Sequence, residues 1–165
     1  MIPLTTVTVT RSETSPWLAS VYAGVFTAIV AAAFVLAFQA EIPILYIIAF
    51  FLIGAGPVLG YQMATGRLGS EWGGLIGGII GSIPLLGVLL WPILVGAFAR
   101  SQSVGRLFLG SLIGIILATV VFALVATAMG DNPGWLAFGF TLLCAVWGGA
   151  CGAFMVAWGR TNPMA

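Results

Sequence analysis

From the N-terminus onward, long apolar runs alternate with brief polar breaks. Uncharged stretches cover residues 14–40, 42–66, 72–99, 107–130 and 132–159. Each reaches the roughly 20 apolar residues that a helix needs to cross a hydrocarbon core of about 30 Å. The pattern predicts an all-α fold, a polytopic integral membrane helix bundle. Helical segments are expected at Trp17–Phe38, Ile44–Met63, Trp72–Ala99, Leu107–Met129 and Trp135–Trp158. Ser15 and Pro16 read as an N-cap followed by a first-turn proline. The link Gln39–Pro43 is so short that the second segment must return antiparallel beside the first. Asp131-Asn132-Pro133-Gly134 has the residue types of a tight turn.

The third segment does not fit a simple crossing. Its 28 residues would make a helix about 42 Å long at ~1.5 Å per residue, more than the bilayer core requires. Gly81-Ser82-Ile83-Pro84 falls near its middle, and Pro92 follows Trp91. Proline removes a helix hydrogen bond and crowds the preceding turn. Two arrangements follow: five simple spans, or four full spans plus a glycine-rich, broken or re-entrant segment at 72–99. The charges favour the second. With a hairpin at 81–84, Arg11, Arg67, Arg100, Arg106 and Arg160 share one side, while Glu41 and Asp131 lie on the other. By the positive-inside rule both termini are then cytoplasmic. A single crossing would leave arginines on both sides. Two arms of about a dozen residues reach only roughly 18 Å each, so such a hairpin must shelter within protein, because lipid cannot satisfy a turn's freed backbone groups.

The whole of 17–158 reads as one transmembrane domain, with an N-terminal tail, 1–16, and a C-terminal tail, 159–165. The tail's Thr5–Thr10 alternates in a β-like manner but is too short to form a sheet alone. The first apolar run is read as a span rather than a signal peptide. It exceeds the 7–15 residues of a signal core, and Phe38 fills the minus-three position of a cleavage site after Ala40. The expected location is a prokaryotic cytoplasmic membrane.

Composition narrows the chemistry. Charged residues make up 5% of the chain, against a usual ~25%. There is no Lys and no His. Imidazole ligation, Schiff bases and Ser–His–Asp or Cys–His catalysis are therefore excluded. Cys144 and Cys151 cannot make a four-thiolate metal site, and at a spacing of seven they read as small buried hydrophobes. The chain is not read as an enzyme. A net charge of +1 without a basic cluster argues against nucleic acid.

Small residues recur at intervals of four. Ala19, Ala23, Thr27 and Ala31 run beside Ser20, Gly24, Ala28 and Ala32. Gly73, Gly77 and Gly81 run beside Gly74 and Gly78, and Gly148, Gly149 and Gly152 sit in the last segment. In lipid no hydrophobic force drives helices together, so close van der Waals contact across such faces carries much of the packing. These glycines are candidate helix-packing positions, within the chain or against a partner. Ser82 and Pro84 are candidate solute contacts, because a broken helix frees carbonyls. The intramembrane hydroxyls of Thr27, Ser111, Thr119, Thr127 and Thr141 are expected to bond back to their own helices. Arg67, Ser70 and Glu71 read as a helix cap and local ion pair, with Ser70 as the N-cap. Arg100 and Arg106 are placed at headgroup level, where anionic lipid could bind them. Most of the six Trp fall at segment ends as interface anchors. Trp91 and Trp147 are deeper and are candidates for touching a lipid tail or apolar cofactor.

No motif identifies a family. The expected role is a non-catalytic accessory or structural subunit that packs against a larger membrane complex through its small-residue faces. Its partners would be membrane lipids and other subunits or itself, with bound lipid or an apolar cofactor at the seam and no other cofactor. The alternative is a small homo-oligomeric transporter or channel with segment 72–99 at its core.

Overall fold

The structure, a computed structural model, describes residues 14–82, 87–99, 102–132 and 134–157. The Thr5–Thr10 stretch, Pro84, Arg11, Arg100, Trp158 and Arg160 lie outside them. Among the described residues there are seven α-helices and no strands: α1 Pro16–Gln39, α2 Pro43–Ile53, α3 Gly56–Ala64, α4 Trp72–Gly81, α5 Gly87–Phe98, α6 Val104–Met129 and α7 Trp135–Ala157. Helices α1, α6 and α7 are long and apolar enough to cross a membrane.

Four unbroken spans are not what forms. The expected second segment is two helices, α2 and α3, bent by 50° at Gly54–Ala55. Only taken together do they meet the length of a fourth span. Pro57, in the first turn of α3, explains the break: it has no N–H to give the turn before it, and its ring crowds that turn. Segment 72–99 also divides, into helices of 10 and 12 residues. A Cβ on Gly73 would fall on the Phe98 carbonyl, one on Gly77 on Leu94, and one on Gly81 on Trp91. The pairings run in opposite directions, so α4 and α5 are antiparallel and closely apposed. Five simple spans are thereby ruled out.

Helix α1 is the hub. Its inner row of Ala19, Ala23, Thr27 and Ala31 is 0% exposed. A Cβ on Gly60 of α3 would strike Ala23, and one on Gly56 would strike Thr27. From the other flank, Gly148 of α7 faces Thr27 and Gly152 faces Ala19 and Ala23. Both neighbours run antiparallel to α1, and α6 runs antiparallel to α7, with Gly110 against Phe154 and Gly114 against Ala150 and Trp147. The start of α1, the end of α3 and the start of α6 thus share one end of the bundle with the end of α7. Outward faces are large and apolar throughout, including Ile44 (68% exposed), Leu124 (64%) and Ile29 (59%).

The connections follow local chemistry. Ser15 is the N-cap of α1 by position, with Pro16 in its first turn, although its hydroxyl makes no capping bond. The Gln39–Pro43 link turns at Glu41, whose φ of 55° is unusual for a residue with a side chain. After α6, Asn132 Oδ1 accepts the Gly134 N–H at 2.9 Å, the self-bonded turn expected of Asn. Helix α6 begins three residues earlier than the sequence indicated, which puts Arg106 in its first turn.

Substituting Gly77 by Leu should cost at least ~1–3 kcal/mol, the usual penalty of overpacking, because its Cβ would lie 2.6 Å from the Leu94 carbonyl oxygen. Gly105→Ala in α6, where nothing lies within 4 Å, should be neutral or stabilise by up to about 1 kcal/mol. Unfolding titrations in mixed micelles compare the two, and equal stability would contradict the apposition of α4 and α5.

Candidate functional site

The interruptions of the helices meet at one place. A Cβ on Gly54, at the α2/α3 bend, would collide with Ser82 Oγ and the Gly78 carbonyl near the end of α4. The end of α4 therefore lies at the level of the bend. Each interruption frees backbone carbonyls, and three carbonyls there take side-chain donors. Trp91 Nε1 of α5 donates to the Gly54 carbonyl at 2.7 Å. Ser82 Oγ donates to the Gly78 carbonyl at 2.9 Å.

Pro92 provides a third instance. It sits inside α5 without dividing it, but lacks the N–H that would bond four residues back. That carbonyl belongs to Val88, and Ser111 Oγ of α6 donates to it at 3.2 Å. Ser111 in turn accepts the indole N–H of Trp147 from α7 at 3.1 Å. The two indoles pack edge to face, with ring centroids 5.4 Å apart. One connected set of groups, Gly54–Trp91–Trp147–Ser111–Val88, thus joins α2, α5, α6 and α7.

Around this set lies a cavity of about 270 Å³. Its walls include Phe50 and Ile53 from α2, Gly81 and Ser82 from α4, Val88 and Trp91 from α5 and Ile115 from α6. Helix α7 adds Phe140, Leu143, Cys144 and Trp147. Trp91 is 0% exposed and Cys144 is buried. Among the described residues, no group of His, Cys, Asp or Glu could hold a metal ion.

The candidate residues from the sequence divide into three groups. Gly73, Gly77 and Gly81 face the α5 backbone, while Gly74 meets Val58 and Ala99, and Gly78 meets Gly54. Gly148, Gly149 and Gly152 face α1 at Thr27, Ser20 and Ala19–Ala23. All eight therefore lie against helices of the same chain. Ser82 lines the cavity; Pro84 lies outside the described residues. Arg67, Ser70 and Glu71 form the loop before α4, away from the cavity. There the N-cap is Glu71, not Ser70. The Ser70 hydroxyl is turned back, donating to the Arg67 carbonyl at 2.7 Å.

Two important residues escaped notice. Gln62 is 0% exposed; its Oε1 accepts the Gly69 N–H at 2.9 Å and its Nε2 donates to the Glu71 carbonyl at 3.2 Å, pinning the loop. It is the one amide in the segment Ile44–Met63, a signal that was available. Ser111 was expected to bond back to its own helix, as Thr27, Thr119, Thr127 and Thr141 do. It bonds across helices because Pro92 leaves a carbonyl opposite it.

Comparison with known proteins finds no match among protein-family models, curated proteins or solved structures. The residues alone carry the functional reading.

Ser111→Ala should destabilise the protein by about 1–3 kcal/mol, the cost of stranding a buried polar group, since it abandons both the Val88 carbonyl and the Trp147 N–H. Thr119→Val, which removes only an exposed bond to its own helix, should change stability by less than ~0.5 kcal/mol. Trp91→Phe should behave like Ser111→Ala. Denaturation in mild detergent would measure all three, and a neutral Ser111→Ala would contradict the cross-helix network.

Proposed function

We propose that this chain is a non-catalytic integral membrane protein, with α4/α5 as a re-entrant hairpin, that serves as a small subunit packing against another membrane protein. The observation carrying this reading is on α1 and α7. The inner small-residue row of α1 is fully buried within the chain, whereas the outer row touches α7 on one side and stays partly exposed on the other. Ser20, Gly24 and Ala28, with Ala145, Gly149 and Ala150 of α7, line an outward groove of about 480 Å³. In lipid, small residues that permit close backbone approach are where helices associate. The glycines of α4 do not support the reading, because α5 occupies their face.

One observation favours a second reading, a small homo-oligomeric transporter or channel. The α2/α3 break and the α4/α5 hairpin meet around a cavity, as the discontinuous helices of transporters do at their binding sites. Against ion passage stands the fact that the Gly54, Gly78 and Val88 carbonyls are already engaged by side-chain donors.

Purification of the tagged protein in mild detergent tests the choice. The subunit reading expects a stoichiometric companion protein that is lost on Ala28→Leu, which fills the groove. A homo-oligomer that conducts a solute in proteoliposomes would overturn it in favour of the second reading. The re-entrant hairpin has its own test. Cysteines placed at Thr14 and Ser103 should react with an impermeant maleimide from the same face of the membrane, and one at Asn132 from the other. Reaction of the first two from opposite faces would eliminate the hairpin. The buried native Cys144 and Cys151 should contribute little background.

A further inference from the structure

We infer that the cavity at the helix breaks is a hydrocarbon-binding site, and that in the bilayer it holds the end of a lipid acyl chain. The inference rests on the membrane placement of the chain and on neither reading of its partners. Side-chain chemistry defines the class of occupant. The side-chain hydroxyl and indole donors in the lining are spent within the protein: the Ser82 hydroxyl on Gly78, the Trp91 indole on Gly54 and the Trp147 indole on Ser111. Among the lining side chains this leaves only the weakly polar Cys144 thiol. A polar occupant would bring groups of its own into an apolar setting without compensation, at a cost of roughly 2–7 kcal/mol for each amide or hydroxyl. Water faces the same difficulty, since a buried water needs 2–4 polar partners, and apolar cavities stay dry and take up apolar molecules. A hydrocarbon brings no polar group of its own into this lining.

Size and connection identify the source. About 270 Å³ falls just below the ~300 Å³ at which sites for drug-sized ligands begin, so the cavity suits the end of a chain better than a whole molecule. Phe50, Ile115, Phe140 and Leu143 line it while remaining half-buried. The cavity is therefore continuous with the outer surface, where Ile116, Leu112 and Phe51 are exposed. At membrane depth the molecules touching that surface are acyl chains.

The test uses the full-length protein with Trp17, Trp72, Trp135 and Trp158 each changed to Phe, so that only Trp91 and Trp147 emit. It is reconstituted into phosphatidylcholine vesicles with acyl chains brominated near their ends. The expected result is strong quenching that is lost in Val88→Phe and, independently, in Ile115→Phe, both of which fill the cavity, with no quenching by aqueous acrylamide. Near-UV circular dichroism identifies a filler variant that fails to fold, and the other then decides. Should both unfold, decane titrated into the unsubstituted cavity must relieve the quenching by taking the chain's place. Undiminished quenching in a folded filler variant, quenching by acrylamide in place of lipid, or no relief by decane would each overturn the inference. A protein that does not enter vesicles at all would overturn the membrane placement with it.

Discussion

A backbone carbonyl freed from its helix in the hydrocarbon of a membrane has no water to turn to, and the architecture depends on that constraint. This chain frees such groups repeatedly, through Pro57 and the Gly54–Ala55 bend, the end of α4, and Pro92 inside α5. Three carbonyls at these interruptions take a donor from a side chain: Trp91 for Gly54, Ser82 for Gly78 and Ser111 for Val88. An unsatisfied group in hydrocarbon would cost several kcal/mol, and these donors sit where the helices they join lie side by side. Trp91 ties α5 to the bend, and Ser111 ties α6 to α5. Trp147 then closes the set by giving its own N–H to Ser111.

Close approach is the second organising element, and it follows from the first. A donor can cross from one helix to another only if the backbones are near. Glycine permits this at the α4/α5 contact, where Gly73, Gly77 and Gly81 lie against backbone atoms of α5. On α1 the same purpose is served by alanines and Thr27, whose hydroxyl turns back onto the Ala23 carbonyl and so presents a small, satisfied surface to α3 and α7. The cavity is the residue of these two requirements: helices held together at their breaks by long indoles cannot also fill the volume between them.

Much of this was legible before the structure. Long uncharged runs announced the bundle, and the length, prolines and charge parity of 72–99 announced a divided segment. What escaped was relational. Pro57 lies within Ile44–Met63, an apolar run that reads equally well as one straight helix. Ser111 looked like every other intramembrane hydroxyl, since nothing local to α6 reveals that Pro92, nineteen positions earlier, has left a carbonyl facing it. The Ser70 cap failed because Ser70 Oγ bonds the Arg67 carbonyl, a choice between two nearby backbone partners that residue type cannot decide. Trp91 and Trp147 were marked as deep and unusual, but their contact with each other required the fold.

The packing of α1 between α3 and α7 also bears on how the protein is made. Helix α1 leaves the ribosome well before α7, whose Gly148, Gly149 and Gly152 supply its second flank. Until α7 is in place, Ala19, Ala23 and Thr27 have one flank unpacked. The Trp91–Trp147–Ser111 set is likewise incomplete. The hairpin, with helices of only about 15 and 18 Å, enters a bundle that is still open on one side. The α1 seam and the indole set are therefore complete only once α7 is in place. A chain interrupted before Trp135 would lack the helix that packs on both α1 and α6.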